Sequence, residues 1–218
     1  MANCHSKIIH STQLQKLPDG FVYVSDFVSN MILDIRYYSA NNFVGARIDG
    51  YSAPAAILSE EAASALMTAG KEFNSLGYAI KVYDAYRPQI AIEHFIRWAK
   101  DIDDVKMKSF YYPELNKSQL FKLGYISEKS AHTRGSCVDL TIVNMSSGKD
   151  IDMGSSFDYF GEISHHGTSA ITQEQTNNRN ILKGVMAANG FEAFHREWWH
   201  YTLADEPYAD TYFTFPVN

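Results

Sequence analysis

The chain reads as an α+β domain, with a central, mainly antiparallel sheet flanked by helices. Three observations predict this. Helical and strand-like segments mix along the sequence without the regular βαβ rhythm of a parallel sheet. A length of 218 residues suits one well-buried core and is short for two full domains. No internal repeat, low-complexity run or Pro/Gly/Ser-rich linker divides the chain. Residues 1–218 are therefore expected to form a single domain, with residues 1–30 the least defined part.

Each element has a local signal. Ser59 is placed to cap a helix whose first turn carries Glu60 and Glu61. Apolar residues then recur at Ala62, Ala65, Leu66, Ala69, Phe73 and Leu76, and Gly77 is placed to stop the helix. Residues 78–84 read as a strand with Tyr78, Ile80 and Val82 on one face. Pro88 suits the first turn of a second helix running through residues 90–99. The polar stretch 101–129 resists assignment beyond a helix near residues 117–123. Residues 138–143 read as a strand, 176–189 as a helix stopped by Gly190, 191–194 as a strand and 198–203 as the last strand.

Composition bounds the function. Hydrophobic residues at 45% and charged residues at 20% are ordinary for a soluble globular protein. Tyr and Phe, at 14 and 13 copies, supply aromatics for a core and a lined pocket. A net charge of -6 argues against a nucleic-acid partner, which calls for a basic face. Two cysteines, Cys4 and Cys137, make no disulfide framework, which fits a reducing compartment. The N-terminal residues carry no apolar stretch of signal-peptide length, and no segment approaches the roughly 20 apolar residues of a membrane span. A soluble, cytoplasmic protein without a membrane partner is the expectation.

The chemistry concentrates in two motifs, Ser130-Ala-His132-Thr-Arg-Gly135-Ser-Cys-Val-Asp139 and Glu197-Trp-Trp-His200. Zinc takes imidazole nitrogen and carboxylate oxygen readily and favours four ligands. Gly135 permits a sharp turn between His132 and Asp139, so both can reach one ion, and His200 offers a third ligand from a neighbouring strand. Glu197 could then act on water held at the fourth position. Taken singly, each histidine could be a core or surface residue, Asp139 a capping residue and Glu197 a surface acid. Together they specify a one-zinc hydrolase. The strand period of two sends residues 197 and 200 to opposite faces, so Glu197 must lie in a bend before the strand if both face the metal.

Other polar residues are weighed against these. His165, His166 and His195 are competing ligands, read as outer or loop residues because adjacent histidines seldom share an ion. His5, His10 and His94 read as structural or solvent-exposed. Arg87, in Asp84-Ala-Tyr-Arg87-Pro88, ends a strand where a pocket can form. It either stabilises an oxyanion or holds the turn through a salt bridge to Asp84, and the two roles are compatible. Asp158, in a loop, could receive an ammonium group or cap its own turn.

The pattern Ser-x-His-x-x-Gly-x-x-x-Asp followed by Glu-x-x-His resembles the zinc D-alanyl-D-alanine dipeptidase and DD-carboxypeptidase family. Asn42-Phe-Val-Gly45, Asp84-Ala-Tyr-Arg-Pro88, Tyr111-Tyr-Pro113, Met153-Gly-Ser-Ser-Phe-Asp158, Ser164-His-His166 and Glu197-Trp-Trp-His-Tyr201 extend it, and look like the dipeptidases of vancomycin resistance. The likeness runs from about residue 34 to the C-terminus. It implies His132, Asp139 and His200 as ligands of one zinc ion per chain, Glu197 as catalytic base and Arg87 as transition-state stabiliser. It also implies Tyr37, Ser130 and Asp158 as the groups that recognise the dipeptide, Asp158 through its free ammonium. Cys137, between two ligands, is read as packing. The activity implied is hydrolysis of the dipeptide D-Ala-D-Ala, a small-molecule substrate tied to cell-wall metabolism and antibiotic resistance, with room for a homo-oligomer. The alternatives are a DD-carboxypeptidase or lysin acting on longer wall peptides, and a non-catalytic zinc domain like that of the Hedgehog proteins.

Overall fold

Residues 16–218 are described in this computed structural model, so Cys4, His5 and His10 lie outside the described residues. Strand β1 (Phe21–Tyr23), strand β2 (Ile32–Leu33) and strand β3 (Ile57–Ser59) open the chain. β1 and β3 pair antiparallel as a small separate sheet. Ser59 then caps helix α1 (Glu60–Ser75), its hydroxyl accepting from the Ala62 amide at 3.3 Å. Ala62, Leu66, Ala69 and Phe73 form the buried stripe, and Gly77 follows the C-cap at φ +86°. Leu76, expected on that stripe, is the C-cap residue and 53% exposed.

Strand β4 (Tyr78–Asp84) leads to helix α2 (Gln89–Lys100), where Pro88 stands at the N-cap, one place before the first helical residue. Residues 101–129 hold only two four-residue helices, α3 (Lys108–Tyr111) and α4 (Lys117–Leu120), the latter shorter than expected. Strand β5 (Cys137–Asn144) is buried at every position except its last. Helix α5 (Gln173–Ala188) starts three residues ahead of the position expected from sequence because Thr172 and Gln175 form a reciprocal capping box. Strand β6 (Phe191–Ala193) and strand β7 (His200–Leu203) complete the set.

The main sheet has the order β2-β4-β5-β7-β6. β2 runs parallel to β4 and every other pairing is antiparallel, so the expected α+β fold with a mainly antiparallel sheet is what forms. Helix α1 packs against β4 and α5. No helix among the described residues is long and apolar enough to cross a membrane.

Two local features of the sheet position the polar residues at its end. The β4–β5 register shifts between Val82 and Asp84, so Asp84 comes opposite Asp139. Such a bulge re-aims a side chain at the end of a strand. The turn before β5 is closed by Gly135 at φ +86°, where a Cβ would lie 2.3 Å from Cε1 of Phe21. Phe21 is itself wedged among Tyr86, Tyr208, Phe213 and Phe215, which leaves it no room to retreat.

Gly135→Ala is therefore expected to lower the unfolding free energy by about 2–4 kcal/mol, from left-handed strain plus overpacking. Urea titration checks this, and an unchanged midpoint would mean that the turn is not confined as described.

Candidate active site

Neighbouring strands bring the two motifs together. Asp139 lies opposite His200 in the β5–β7 register, and Cys137 lies opposite Thr202. Residues two apart on a strand share a face, so these four side chains form a square on one side of the sheet. His132 arrives from the short 3₁₀ turn Ala131–Arg134, which Ser130 caps by accepting the His132 amide at 3.3 Å. Glu197 lies in the turn between β6 and β7, its amide bonded to the Phe194 carbonyl at 3.2 Å and its carbonyl to the His200 amide at 3.3 Å. The turn carries the Glu197 carboxylate to the same side as His200, with Oε2 3.7 Å from Nδ1.

Nε2 of His132 and Nδ1 of His200 are 3.1 Å apart. Asp139 lies 3.2 Å from His132 Nε2 through Oδ2 and 3.1 Å from His200 Nδ1 through Oδ1. Among the described residues this is the one group of three such donors close enough to hold a metal ion. The spacings suit zinc. Ligands at about 2.0–2.1 Å on a tetrahedron have donor atoms about 3.3 Å apart. The protonation pattern suits it too. His132 Nδ1 donates to the Ala85 carbonyl at 2.7 Å, which leaves Nε2 of the neutral ring bare, facing a carboxylate. A cation between them turns this clash of lone pairs into shared coordination.

Burial and the neighbouring charges set the protonation of these groups. Burial pushes His132 below the ordinary histidine range and favours the neutral ring that a metal needs. Burial works against ionised Asp139, but the two histidines outweigh it and hold the carboxyl well below its ordinary value. Burial also opposes a charge on His200. The Asp139 bond and the nearby Cys137 thiol overcome that and raise it well above the usual range. Glu197 is raised, chiefly by burial, with His200 opposing.

Arg87 makes the salt bridge to Asp84 considered for it in the sequence and also lines the pocket. Nε donates to Asp84 at 2.9 Å and Nη2 to Asp139 at 3.4 Å. The guanidinium lies 4.8 Å from the centroid of the Tyr37 ring. Burial opposes its charge, but Tyr37 and Asp84 hold it protonated. Asp84 is in turn fixed by the Tyr51 hydroxyl at 2.6 Å. Tyr37 donates to Asp158 at 2.9 Å, and burial raises the Asp158 carboxyl well above its ordinary value. Asp158 has φ +59°, a backbone state uncommon outside glycine and concentrated at functional sites. The loop carrying Tyr37 is tied down by Asn42, whose amide donates to the carbonyls of Arg36, Ser39 and Ala46.

Every residue marked in the sequence as catalytic, ligating or substrate-binding lines one pocket of about 390 Å³: Tyr37, Arg87, Ser130, His132, Asp139, Asp158, Glu197 and His200. Tyr125, Phe160, Phe194 and Thr202 join its wall. The other histidines stand elsewhere. His94 accepts the Asp49 amide at 3.1 Å, and the His166 amide donates to the His195 carbonyl at 2.9 Å. Three participants go unmarked in the sequence reading. Ala85 contributes a backbone carbonyl, which no side-chain pattern announces, and Tyr51 is far from Asp84 in the chain. Thr202 is within reach of the period-two rule, since it follows His200 by two.

A triad of metal donors beside an acid and a buried guanidinium, all facing one pocket of an α+β sheet, defines a metallopeptidase. The chain belongs to the D-ala-D-ala dipeptidase family of M15 peptidases, whose family model matches residues 18–218. It is 38% identical over 202 residues to a D-alanyl-D-alanine dipeptidase of Enterococcus faecalis, covering 93% of this chain and 100% of the relative. A D-alanyl-D-alanine dipeptidase of Streptomyces coelicolor is 37% identical over 197 residues, 90% of this chain and 98% of its own. One from Escherichia coli is 28% identical over 180 residues, 83% and 81%.

Tyr51→Phe is expected to cost about 1–3 kcal/mol of stability, because the buried Asp84 carboxylate loses a donor. Chemical denaturation measures it, and a loss below about 0.5 kcal/mol would mean that Asp84 draws its support from Arg87 alone.

Proposed function

We propose that this chain is a zinc-dependent dipeptidase that hydrolyses D-Ala-D-Ala to two D-alanines. The observation that carries the proposal is the meeting of the two motifs. His132, Asp139 and His200 converge with Glu197 on one side and Arg87 on the other. The names of the relatives supply the substrate. On this reading residues 1–218 act as one catalytic domain and hold one zinc ion through His132 Nε2, Asp139 and His200 Nδ1. Zinc, when bound, supplies a Lewis acid and lowers the pKa of the water it holds toward about 7.

The chain's own groups do the rest. Glu197 takes a proton from the attacking water, and its raised pKa suits a group that must then keep that proton. Arg87, locked by Asp84, faces the developing oxyanion without having to reorganise. Asp158 and Tyr37 receive the dipeptide's ammonium, and Ser130, which lines the same pocket, contacts the dipeptide as well. Glu197 finally passes its proton to the leaving amine. The buried free thiol of Cys137 is compatible with a reducing, cytoplasmic setting.

Glu197→Ala is expected to retain zinc and lose turnover. Activity in that variant would remove Glu197 as the base. Arg87→Ala should lower kcat by about 100-fold or more, the loss typical of one oxyanion donor. The reading as a whole is tested by amine release from D-Ala-D-Ala, D-Ala-D-lactate, L-Ala-L-Ala and a pentapeptide ending in D-Ala-D-Ala, with and without chelator. Preference for the free dipeptide, abolished by chelation, is expected. Preference for the pentapeptide would favour a DD-carboxypeptidase, and no hydrolysis at all a Hedgehog-like zinc domain.

A further inference from the structure

Behind the metal donors lies a second layer of side chains, one of which, Cys137, reads in the sequence as packing. Thr202 Oγ1 is 3.4 Å from His200 Nε2 and 2.9 Å from the sulfur of Cys137. Cys137 is fully buried, and the β5–β7 register sets it directly across from Thr202. His200 turns Nδ1 toward His132 and Asp139, so Nδ1 is the atom that must carry a lone pair if the ring is to bind a metal. The neutral ring then bears its hydrogen on Nε2, and that hydrogen needs an acceptor. The Thr202 hydroxyl offers an oxygen acceptor there, and the Cys137 sulfur, a weaker acceptor, stands beside it. Once the Thr202 oxygen accepts from His200, its own hydrogen is free to point at the Cys137 sulfur.

We propose that Thr202, oriented by Cys137, is the positioning residue that fixes the His200 ring with Nδ1 toward the metal. The inference rests on zinc binding at this site, as proposed for the dipeptidase. It makes Thr202 the counterpart of the Ala85 carbonyl, which performs the same service for His132. The two histidines are thus held by different chemistry: a rigid backbone acceptor for one, and a rotatable hydroxyl backed by a thiol for the other. His200 is consequently the ligand whose hold on the metal can be altered by side-chain substitution alone.

The test measures zinc affinity by competition with a chromophoric chelator, and the absorption spectrum of the cobalt-substituted protein, in wild type, Thr202→Val, Thr202→Ser, Cys137→Ala and Cys137→Ser. Thr202→Val keeps the shape of the side chain and removes the acceptor. It should weaken zinc by about 10- to 100-fold, the range for loss of an outer partner, and shift the cobalt bands. Thr202→Ser should restore both. Cys137→Ala should weaken zinc less than Thr202→Val does, and Cys137→Ser should lie nearer wild type. Should Thr202→Val fail to fold, Thr202→Ala makes the same removal with a smaller side chain. Zinc affinity within about twofold of wild type and an unchanged cobalt spectrum in the Thr202 variant would overturn the inference while leaving the zinc reading intact. Wild-type protein that takes up no zinc would overturn both.

Discussion

Asp139 is a carboxylate 2% exposed on the central strand of the sheet, and a charge so placed must be compensated on every side. His132, His200 and Arg87 supply that compensation from three separate elements. Each of those elements is positioned by something further out. The Ala85 carbonyl fixes His132, Asp84 fixes Arg87, and Tyr51 fixes Asp84. The Val82/Asp84 bulge turns the end of β4 inward so that this chain of contacts can close. Satisfying one buried acid thus prescribes the geometry of the end of β4, the turn before β5 and the start of β7.

The same constraint explains why the site is made of strands where it must be rigid and of turns where the chain must change direction. Asp139 and His200 face each other across a ladder whose spacing is fixed by backbone hydrogen bonds. His132 and Glu197 stand outside regular strands, in a 3₁₀ turn and in the β6–β7 turn. Both turns are anchored locally, by Ser130 for His132 and by the Phe194 carbonyl for Glu197. Gly135 completes the arrangement by letting the chain reverse against Phe21 with no side chain in the way.

The parts of the molecule that are legible in the sequence are the local ones. The bend at Glu197 is legible because a period of two forbids residues 197 and 200 from sharing a face of a flat strand. Helix α1 is legible through its cap, its stripe and its stop. The pairing of Asp139 with His200 spans 61 residues and no local pattern encodes that register. β2 is a two-residue strand with both side chains more than a third exposed, so it offers no alternation to read. α3 and α4 are four residues each, too short to show a helical period, and they fold where tertiary packing holds them. Cys137 reads as packing in the sequence because burial is the usual fate of a free thiol. Its contact with Thr202 becomes visible only once β5 and β7 are laid side by side.

The pocket also carries an imbalance with a physical consequence for what can enter. Asp139, Asp158, Glu192 and Glu197 face it, against the permanent cations Arg87 and Lys129. Arg87 is already engaged by Asp84 and Asp139, which leaves Asp158 with the Tyr37 hydroxyl as its partner. Burial and the neighbouring Asp139 charge both shift Asp158 toward its protonated form, with Arg87 and the Tyr37 hydroxyl opposing. On the dipeptidase reading, an arriving ammonium reverses that preference, because a cation at hydrogen-bond distance stabilises the carboxylate it meets. A peptide extended beyond the dipeptide at its N-terminus replaces the ammonium with a neutral amide and cannot make this exchange. On that reading, discrimination between a free dipeptide and a longer chain rests on the burial of one acid and on a backbone at φ +59° that holds it there.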